Sequence, residues 1–134
     1  SLRRIKLIIT TDWLNELDLN DTTVLAESVA RLLGAKKAKD VTIVDIKGKT
    51  IIADYFVIAS ASSTTAVRAL VDYVCEELEK RNIPACHRDV DPKWAAIDLG
   101  GVIMHVFYDE LREFYSIERL WADGTNIKRF KDAD

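Results

Sequence analysis

Two adjacent glycines, Gly100 and Gly101, separate the apolar runs WAAIDL and VIMHVFY, and this feature constrains the fold of the chain more than any other. Two-residue hairpin turns need positive φ angles, which glycine adopts at little cost. The spacing therefore predicts a β-hairpin whose turn is the glycine pair. Because side chains alternate between the two faces of a strand, the turn also fixes the register, and Trp94 is expected opposite Phe107.

The two faces of this hairpin differ in composition. The first face is wholly apolar, and we expect it to pack under helices. Its residues are Ala95, Ile97, Leu99, Val102, Met104 and Val106. The second face is mixed and contains Trp94, Ala96, Asp98, Ile103, His105 and Phe107. Burial of an ionised aspartate without a partner costs several kcal/mol, so we predict that the second face is open to solvent or to another molecule.

The rest of the chain predicts an α/β or α+β domain. Apolar residues recur at helical spacing over 24–33, after the potential N-caps Asp21 and Thr22, and again over 67–78, so each stretch predicts a helix. DYFVIAS at 54–60 is nearly continuous apolar sequence and predicts a central strand that is buried on both faces. VTIVDIK and PACHRDV predict further strands. We expect a mixed sheet of about five strands flanked by helices.

The domain is expected to occupy residues 21–124. Residues 1–20 match no strong periodic pattern and form an N-terminal extension whose role is left open, and residues 125–134 predict a loose tail. Between them, DELREFYSIERLWADG predicts one or two helical segments with an excess of negative charge, and we expect Leu120 and Trp121 to face the body of the protein.

Composition bears on the partners and the compartment. The formal net charge is -3, and nucleic-acid affinity depends mainly on Lys and Arg, so direct DNA or RNA binding is disfavoured and a basic protein partner is favoured. No apolar run approaches the roughly 18 residues that a membrane span requires. We expect a cytoplasmic protein with no membrane contact, in which Cys75 and Cys86 remain thiols.

Enzymatic chemistry finds weak support in the sequence. A buried strand leads through SASS into a helix, and an alternative interpretation is a nucleotide-binding or nucleotidyl-transferring enzyme that uses Ser62, Ser63 and Asp98. Two-metal phosphoryl transfer needs two closely placed carboxylates, and no predicted strand near SASS carries such a pair. Cys86 and His87 lack the spaced partners of a zinc site, and there is no GxSxG motif. We expect no catalytic residues, cofactor or metal.

The aromatic residues of the second hairpin face indicate protein binding. Protein interfaces concentrate aromatic side chains among charges, because such side chains bury large areas at low entropic cost. An acid-base pair between His105 and Asp98 across the hairpin is a further possibility. The alternative is that the C-terminal segment of the same chain covers Trp94 and Phe107.

ADYFVIAS, SSTTAVRAL and KWAAIDLGGVIMHVFYDELREFYSIERLWADG together closely resemble the ribosomal silencing factor family, also called Iojap. The likeness covers about residues 22–124. It implies a sheet related to the nucleotidyltransferase fold without the catalytic carboxylates. It also implies binding to the large-subunit ribosomal protein numbered fourteen, which would keep the small subunit from joining and repress translation, and it implies a homodimer when the protein is free.

The family's motifs transfer to positions of this sequence. The WxxxD and HxF motifs and the REFYxxERLW run, taken with the neighbouring tyrosine, give a predicted partner-binding set. The set is Trp94, Asp98, His105, Phe107, Tyr108, Arg112, Tyr115, Glu118 and Arg119. Ser116 stands where many members have aspartate, which could weaken a helix cap.

Overall fold

The structure is a computed structural model that describes residues 11–109, 112 and 117–130. Its helices are a 3-10 helix at Asp12–Glu16, α1 (Thr22–Ala35), α2 (Thr64–Glu79) and α3 (Ile117–Trp121). Its strands are β1 (Lys39–Asp45), β2 (Tyr55–Ala61), β3 (His87–Asp91), β4 (Trp94–Asp98), β5 (Val102–Tyr108) and β6 (Ile127–Arg129).

Within the described residues, six strands form one mixed sheet in the order β3-β4-β5-β2-β1-β6. Only β2 and β5 are parallel neighbours, and the other described pairs are antiparallel. All seven residues of β2 are buried, as the continuous apolar run predicted. The predicted α+β class and mixed sheet are confirmed.

The hairpin has the predicted register. Trp94 pairs with Phe107, and Ala96 pairs with His105. Gly100 and Gly101 have φ angles of 80° and 95°, which a two-residue turn of this kind requires and which other residues adopt at a cost.

The turn is also fixed to the rest of the fold. The Gly101 carbonyl accepts hydrogen bonds from the amides of Asp54 (2.7 Å) and Tyr55 (3.2 Å) at the start of β2. A Cβ atom at Gly101 would lie 2.6 Å from Cγ2 of Thr22, the first residue of α1. Only glycine therefore allows the turn to pack against α1 in this way.

Both long helices cover the first face of the sheet. The side chain of Asp21 caps α1 by accepting from the amides of Thr23 and Val24, and Ser63 caps α2 by accepting from the amide of Ala66. The buried stripes of the two helices share one hydrophobic core with the apolar hairpin face, which confirms that prediction. The sheet side of this core includes Ala95, Ile97, Leu99, Val102, Met104 and Val106.

Residues 11–20 belong to this core, although their sequence pattern did not reveal a role. Leu14 and Leu19 are buried in it. Arg81, just beyond α2, donates hydrogen bonds to the Thr11 carbonyl and to Oδ1 of Asn15, both at 2.9 Å. Packing and these hydrogen bonds join the segment to α2.

The expectation of a loose tail over 125–134 is wrong for β6, which pairs with β1. Asn126 explains why this segment is ordered. Its side-chain amide donates to the carbonyls of Asp45 and Trp121, each at 2.8 Å, so it joins β1, β6 and the end of α3. A three-residue strand is too short to give a periodic signal in the sequence.

None of the described helices has the length and hydropathy that a membrane-crossing helix would need.

A glycine-to-alanine series tests how the turn is fixed. Gly100→Ala should destabilise the fold by about 1 kcal/mol, because alanine resists positive φ. Gly101→Ala should destabilise it by about 2 kcal/mol or more, because alanine there also collides with Thr22. Urea unfolding of both variants measures the difference. Equal losses would show that the close approach to α1 adds nothing.

Candidate docking surface

The second face of the sheet lies opposite the two long helices. The strand registers assign it Thr42 and Val44 from β1, Phe56, Ile58 and Ser60 from β2, Trp94, Ala96 and Asp98 from β4, Ile103, His105 and Phe107 from β5, and Ile127 from β6. Apolar members of this set form a second, smaller core. Ile46 and Ala53, from the connection between β1 and β2, pack into it, and Trp121 packs against it.

Aromatic rings form the centre of this second core. The rings of Trp94 and Phe107 stack with their centroids 5.0 Å apart. Phe56 meets His105 edge to face at 4.9 Å and meets Trp121 in the same way at 5.5 Å. Such contacts contribute about 0.5–1.5 kcal/mol each beyond the burial of their area. The cluster therefore stabilises the fold and orients both tryptophans.

The prediction that the whole second face is open is wrong for its centre. Phe107 is 1% exposed and His105 is 7% exposed, whereas Trp94 and Trp121 are half-buried. Strand alternation identified which residues share a face, but it could not show that later parts of the chain cover that face. Ile127 and Trp121 from the C-terminal segment pack against the cluster. The alternative interpretation, cover by the chain's own C-terminal segment, is correct in part.

His105 holds Trp94 in place. The indole Nε1–H of Trp94 donates to His105 Nδ1 at 3.2 Å, so the neutral imidazole must carry its proton on Nε2. Nε2 is buried without a hydrogen-bond partner. Burial lowers the pKa of His105 from 6.5 to about 4. The ring is therefore neutral at physiological pH, and a charged ring would be poorly tolerated there.

Asp98 is half-buried, and its side chain has a structural contact. Its Oδ1 accepts the Gly100 amide at 2.9 Å, which stabilises the hairpin turn. The interpretation that Asp98 and His105 form an acid-base pair is wrong, because Nδ1 of His105 accepts a hydrogen bond from Trp94 and Nε2 of His105 has no partner.

Two other predicted contact residues lie elsewhere. Tyr108 packs against the main core on the helix-covered face, because it follows Phe107 directly on β5. Arg112 is only 8% exposed, and its guanidinium donates to Ser60 Oγ (3.1 Å) and Thr42 Oγ1 (3.0 Å). Arg112 therefore joins β1 to β2 from the second face, and its predicted role as an accessible contact is wrong.

The remaining predicted residues lie in or near α3. Arg119 is exposed on this helix. Glu118 belongs to the same helix, but its side chain lies outside what the structure describes, and Tyr115 lies outside the described residues altogether. The same holds for Ser116 and most of the predicted helical segment that precedes α3.

Three exposed aliphatic residues were missed by the sequence reasoning. Ile51 and Ile52, between β1 and β2, are 103% and 60% exposed, and Leu120 of α3 is 77% exposed, contrary to the expectation that it faces the body. An ion pair of 3.0 Å between Lys49 and Asp123 brings their two segments together. In the sequence, the one indication of this exposed surface was the adjacent isoleucine pair, which fits neither a helix pattern nor a strand pattern. We call Ile51, Ile52, Leu120, Trp121 and Trp94 the apolar rim.

The three residues named for the enzymatic alternative, Ser62, Ser63 and Asp98, do not lie together in the structure. Ser62 and Ser63 follow the C-terminal end of β2, whereas Asp98 is level with Phe56 near its beginning. Ser62 lies six residues after Phe56, which is about 20 Å at the usual rise of a strand. Ser63 caps α2, and no group of three or more potential metal-binding side chains occurs among the described residues. The structure therefore does not bring together Ser62, Ser63 and Asp98, which the enzymatic alternative requires.

Comparisons with known proteins agree with this description. Residues 19–134 match the family described as "Ribosomal silencing factor during starvation". The ribosomal silencing factor RsfS of Bacillus subtilis is 31% identical over 91 residues, which are 66% of this chain and 77% of that protein. The RsfS protein of Zymomonas mobilis is 30% identical over 112 residues, which are 78% of this chain and 80% of that protein.

Solved structures show the same fold. A protein from Chromobacterium violaceum superposes with a TM-score of 0.68 at 24% identity, over 78% of this chain and 87% of the other. A protein from Bacillus halodurans gives a TM-score of 0.64 at 28% identity, over 76% and 94% respectively.

The fold and the site thus define a mixed-sheet α+β protein with its two long helices on one face and an aromatic cluster with an apolar rim on the other. The chain belongs to the ribosomal silencing factor family, also called Iojap.

The buried imidazole makes stability depend on pH. Because the pKa of His105 is lowered to about 4 in the folded state, the unfolded chain takes up the proton first, and stability falls as the pH drops from 6.5 toward 4. Between about pH 7 and about pH 5 this effect should remove about 2 kcal/mol. Urea unfolding at both values measures the loss. His105→Gln, which keeps an acceptor for Trp94 but does not titrate, should lose clearly less, and an equal loss would contradict the assignment.

Proposed function

We propose that this protein represses translation by binding the large ribosomal subunit and sterically blocking its association with the small subunit. Membership in the ribosomal silencing factor family supports the ribosomal role. The partner implied by the resemblance is the large-subunit ribosomal protein numbered fourteen, and we retain it here. This mechanism needs no turnover, only occupancy of a surface that the small subunit requires.

The apolar rim is the observation that carries the proposal. Its three aliphatic members are largely exposed, and they belong to the two segments whose residues Ile46, Ala53 and Trp121 pack into or against the second core. Burial of apolar surface contributes roughly 25 cal/mol per Å² before the costs of association. Trp94 and Trp121 can add aromatic anchors, because each is half-exposed and held from behind by other rings.

The predicted site residues then take different roles. Trp94, Asp98 and Arg119 keep exposed surface and can contact the partner, whereas Phe107, His105 and Arg112 support the surface from within. Glu118 and Tyr115 remain proposed contacts on the strength of the family resemblance. Tyr108 is left out, since it lies on the helix-covered side.

Electrostatics favours a basic partner. The chain carries a net charge of -3, and Asp98 lies on the same face of β4 as Trp94 of the apolar rim. Asp123, beyond α3, already pairs with Lys49. Charged groups at the edge of an interface mainly raise the association rate and select the orientation of the partner. A basic ribosomal protein would therefore associate faster and in a defined orientation.

The same surface supports a proposed homodimer of the free protein. Monomeric proteins rarely leave large apolar patches uncovered, and pairing of two apolar rims would cover them until the ribosome competes. The proposed place of action is the cytoplasm, where the ribosomes are bound.

Substitution of the apolar rim tests the proposal. Ile51→Asp combined with Leu120→Asp should abolish co-sedimentation with isolated large subunits and should no longer prevent the joining of the two subunits. Both side chains are exposed, so stability should change by only about 0.5 kcal/mol per site. Sucrose-gradient sedimentation measures binding and joining, and circular dichroism checks the fold.

Leu17→Asp is the matched control, because Leu17 is also an exposed leucine but follows the 3-10 helix that packs against α2. It should bind and block joining like the unmodified protein. A folded double variant that still co-sediments and still blocks joining would show that the docking surface has been placed wrongly.

A further inference from the structure

Strand β3 forms one edge of the sheet, and all five of its residues are exposed. Among the described residues it pairs with β4 alone. An edge strand presents a row of unpaired backbone N–H and C=O groups, which can form hydrogen bonds with an added strand. Within the part of the chain that the structure describes, the outer backbone groups of β3 therefore face no neighbouring strand.

A groove runs beside this edge on the first face of the sheet. It has a volume of about 460 Å³ and lies between β3 and the N-terminal half of α2. Val67, Ala69, Val90 and Pro92 give it apolar walls, and Thr64, Thr65, Arg68 and Asp72 also line it. Arg88 donates to Asp72 of α2 at 3.0 Å, and Arg68 pairs with the same carboxylate at 3.6 Å. Alternate side chains of an added strand would enter this groove.

The other face of β3 is acidic. Asp89 and Asp91 alternate with Val90, so the register assigns both to the second face of the sheet, and Asp91, at the end of β3, also borders the groove. Asp91 accepts the amide of Lys93 at 3.0 Å, which fixes the position of its carboxylate. Asp98 follows on the neighbouring strand, opposite His87. An added strand would therefore meet carboxylates on one face and an apolar groove on the other.

We propose that the β3 edge binds an extended segment of another protein by strand addition, and that this segment alternates basic and apolar residues. Its backbone would pair with β3, its apolar side chains would fill the groove beside α2, and its lysines or arginines would meet Asp89 and Asp91. Backbone pairing provides affinity in this mode of recognition, and the alternate side chains provide specificity. The edge site borders the apolar rim, since Asp91 pairs with Trp94 across β3 and β4, but the proposal does not rest on the proposed ribosomal function.

Edge charges also have a protective role, since they discourage non-specific pairing between sheets. Protection alone, however, does not call for an apolar groove on the other side of the same strand. Two carboxylates at alternate positions also select a partner rather than exclude all of them, because lysine or arginine opposite each one removes the repulsion.

A short, blocked, fluorescently labelled peptide that alternates lysine and valine tests the proposal by fluorescence anisotropy with the whole protein. It should bind saturably, whereas a peptide that alternates glutamate and valine should not. Asp89→Lys combined with Asp91→Lys should weaken binding about tenfold or more. Glu16→Lys combined with Glu79→Lys makes the same change of charge at two exposed sites away from the edge and should leave binding unchanged.

Backbone pairing is tested by the same lysine-valine peptide with N-methylated amides, which keeps the charges and removes the donors. Its binding should be lost. Equal binding of the methylated peptide, equal weakening by the control variant, or no binding at all would overturn the proposal. Loss of a dimer in sedimentation velocity on Asp89→Lys with Asp91→Lys would show instead that a second copy occupies the edge, and would also overturn it.

Discussion

The close approach of the hairpin turn to α1 is the constraint on which the rest of this structure depends. Gly101 sits where any side chain would collide with Thr22, and its carbonyl receives two amides from the start of β2. The turn is thus fixed against both its helix and its sheet. Since a slip of one residue would exchange the two faces of β4 and β5, this contact also decides which side chains enter the main core and which reach the second face.

On that second face, the residues that hold the two tryptophans in place are buried, and other residues form the exposed surface. Phe107, His105 and Phe56 are buried and hold the two tryptophans through ring contacts and one hydrogen bond. The exposed surface lies around them. A preorganised aromatic surface loses less entropy on binding than a mobile one, so the buried rings can contribute to affinity without touching the partner. The neutral, partly unsatisfied imidazole of His105 is the energetic cost of this arrangement.

The sequence was sufficient where local pattern and geometry coincide. The glycine pair gave the hairpin register, the apolar run gave the central strand, and helical periodicity gave α1 and α2 with their buried stripes. The sequence did not predict the contacts between segments that are far apart along the chain. Nothing in the neighbourhood of Phe107 indicates that Trp121 and Ile127 pack over its side of the sheet, or that Arg112 returns to bind Thr42 and Ser60. These contacts depend on the path of the chain after β5. For the same reason the exposed isoleucines before β2 were overlooked and Leu120 was expected inside.

In the proposed function, the side of the sheet without long helices contacts the ribosome. Hydrogen-deuterium exchange of the protein, free and bound to isolated large subunits, tests it most directly because it locates the contact without altering any side chain. We expect new protection in 47–54 and 117–124, with the amides of α1 and of the 3-10 helix unchanged. Protection confined to those helical segments, with 47–54 exchanging as fast as in the free protein, would contradict it.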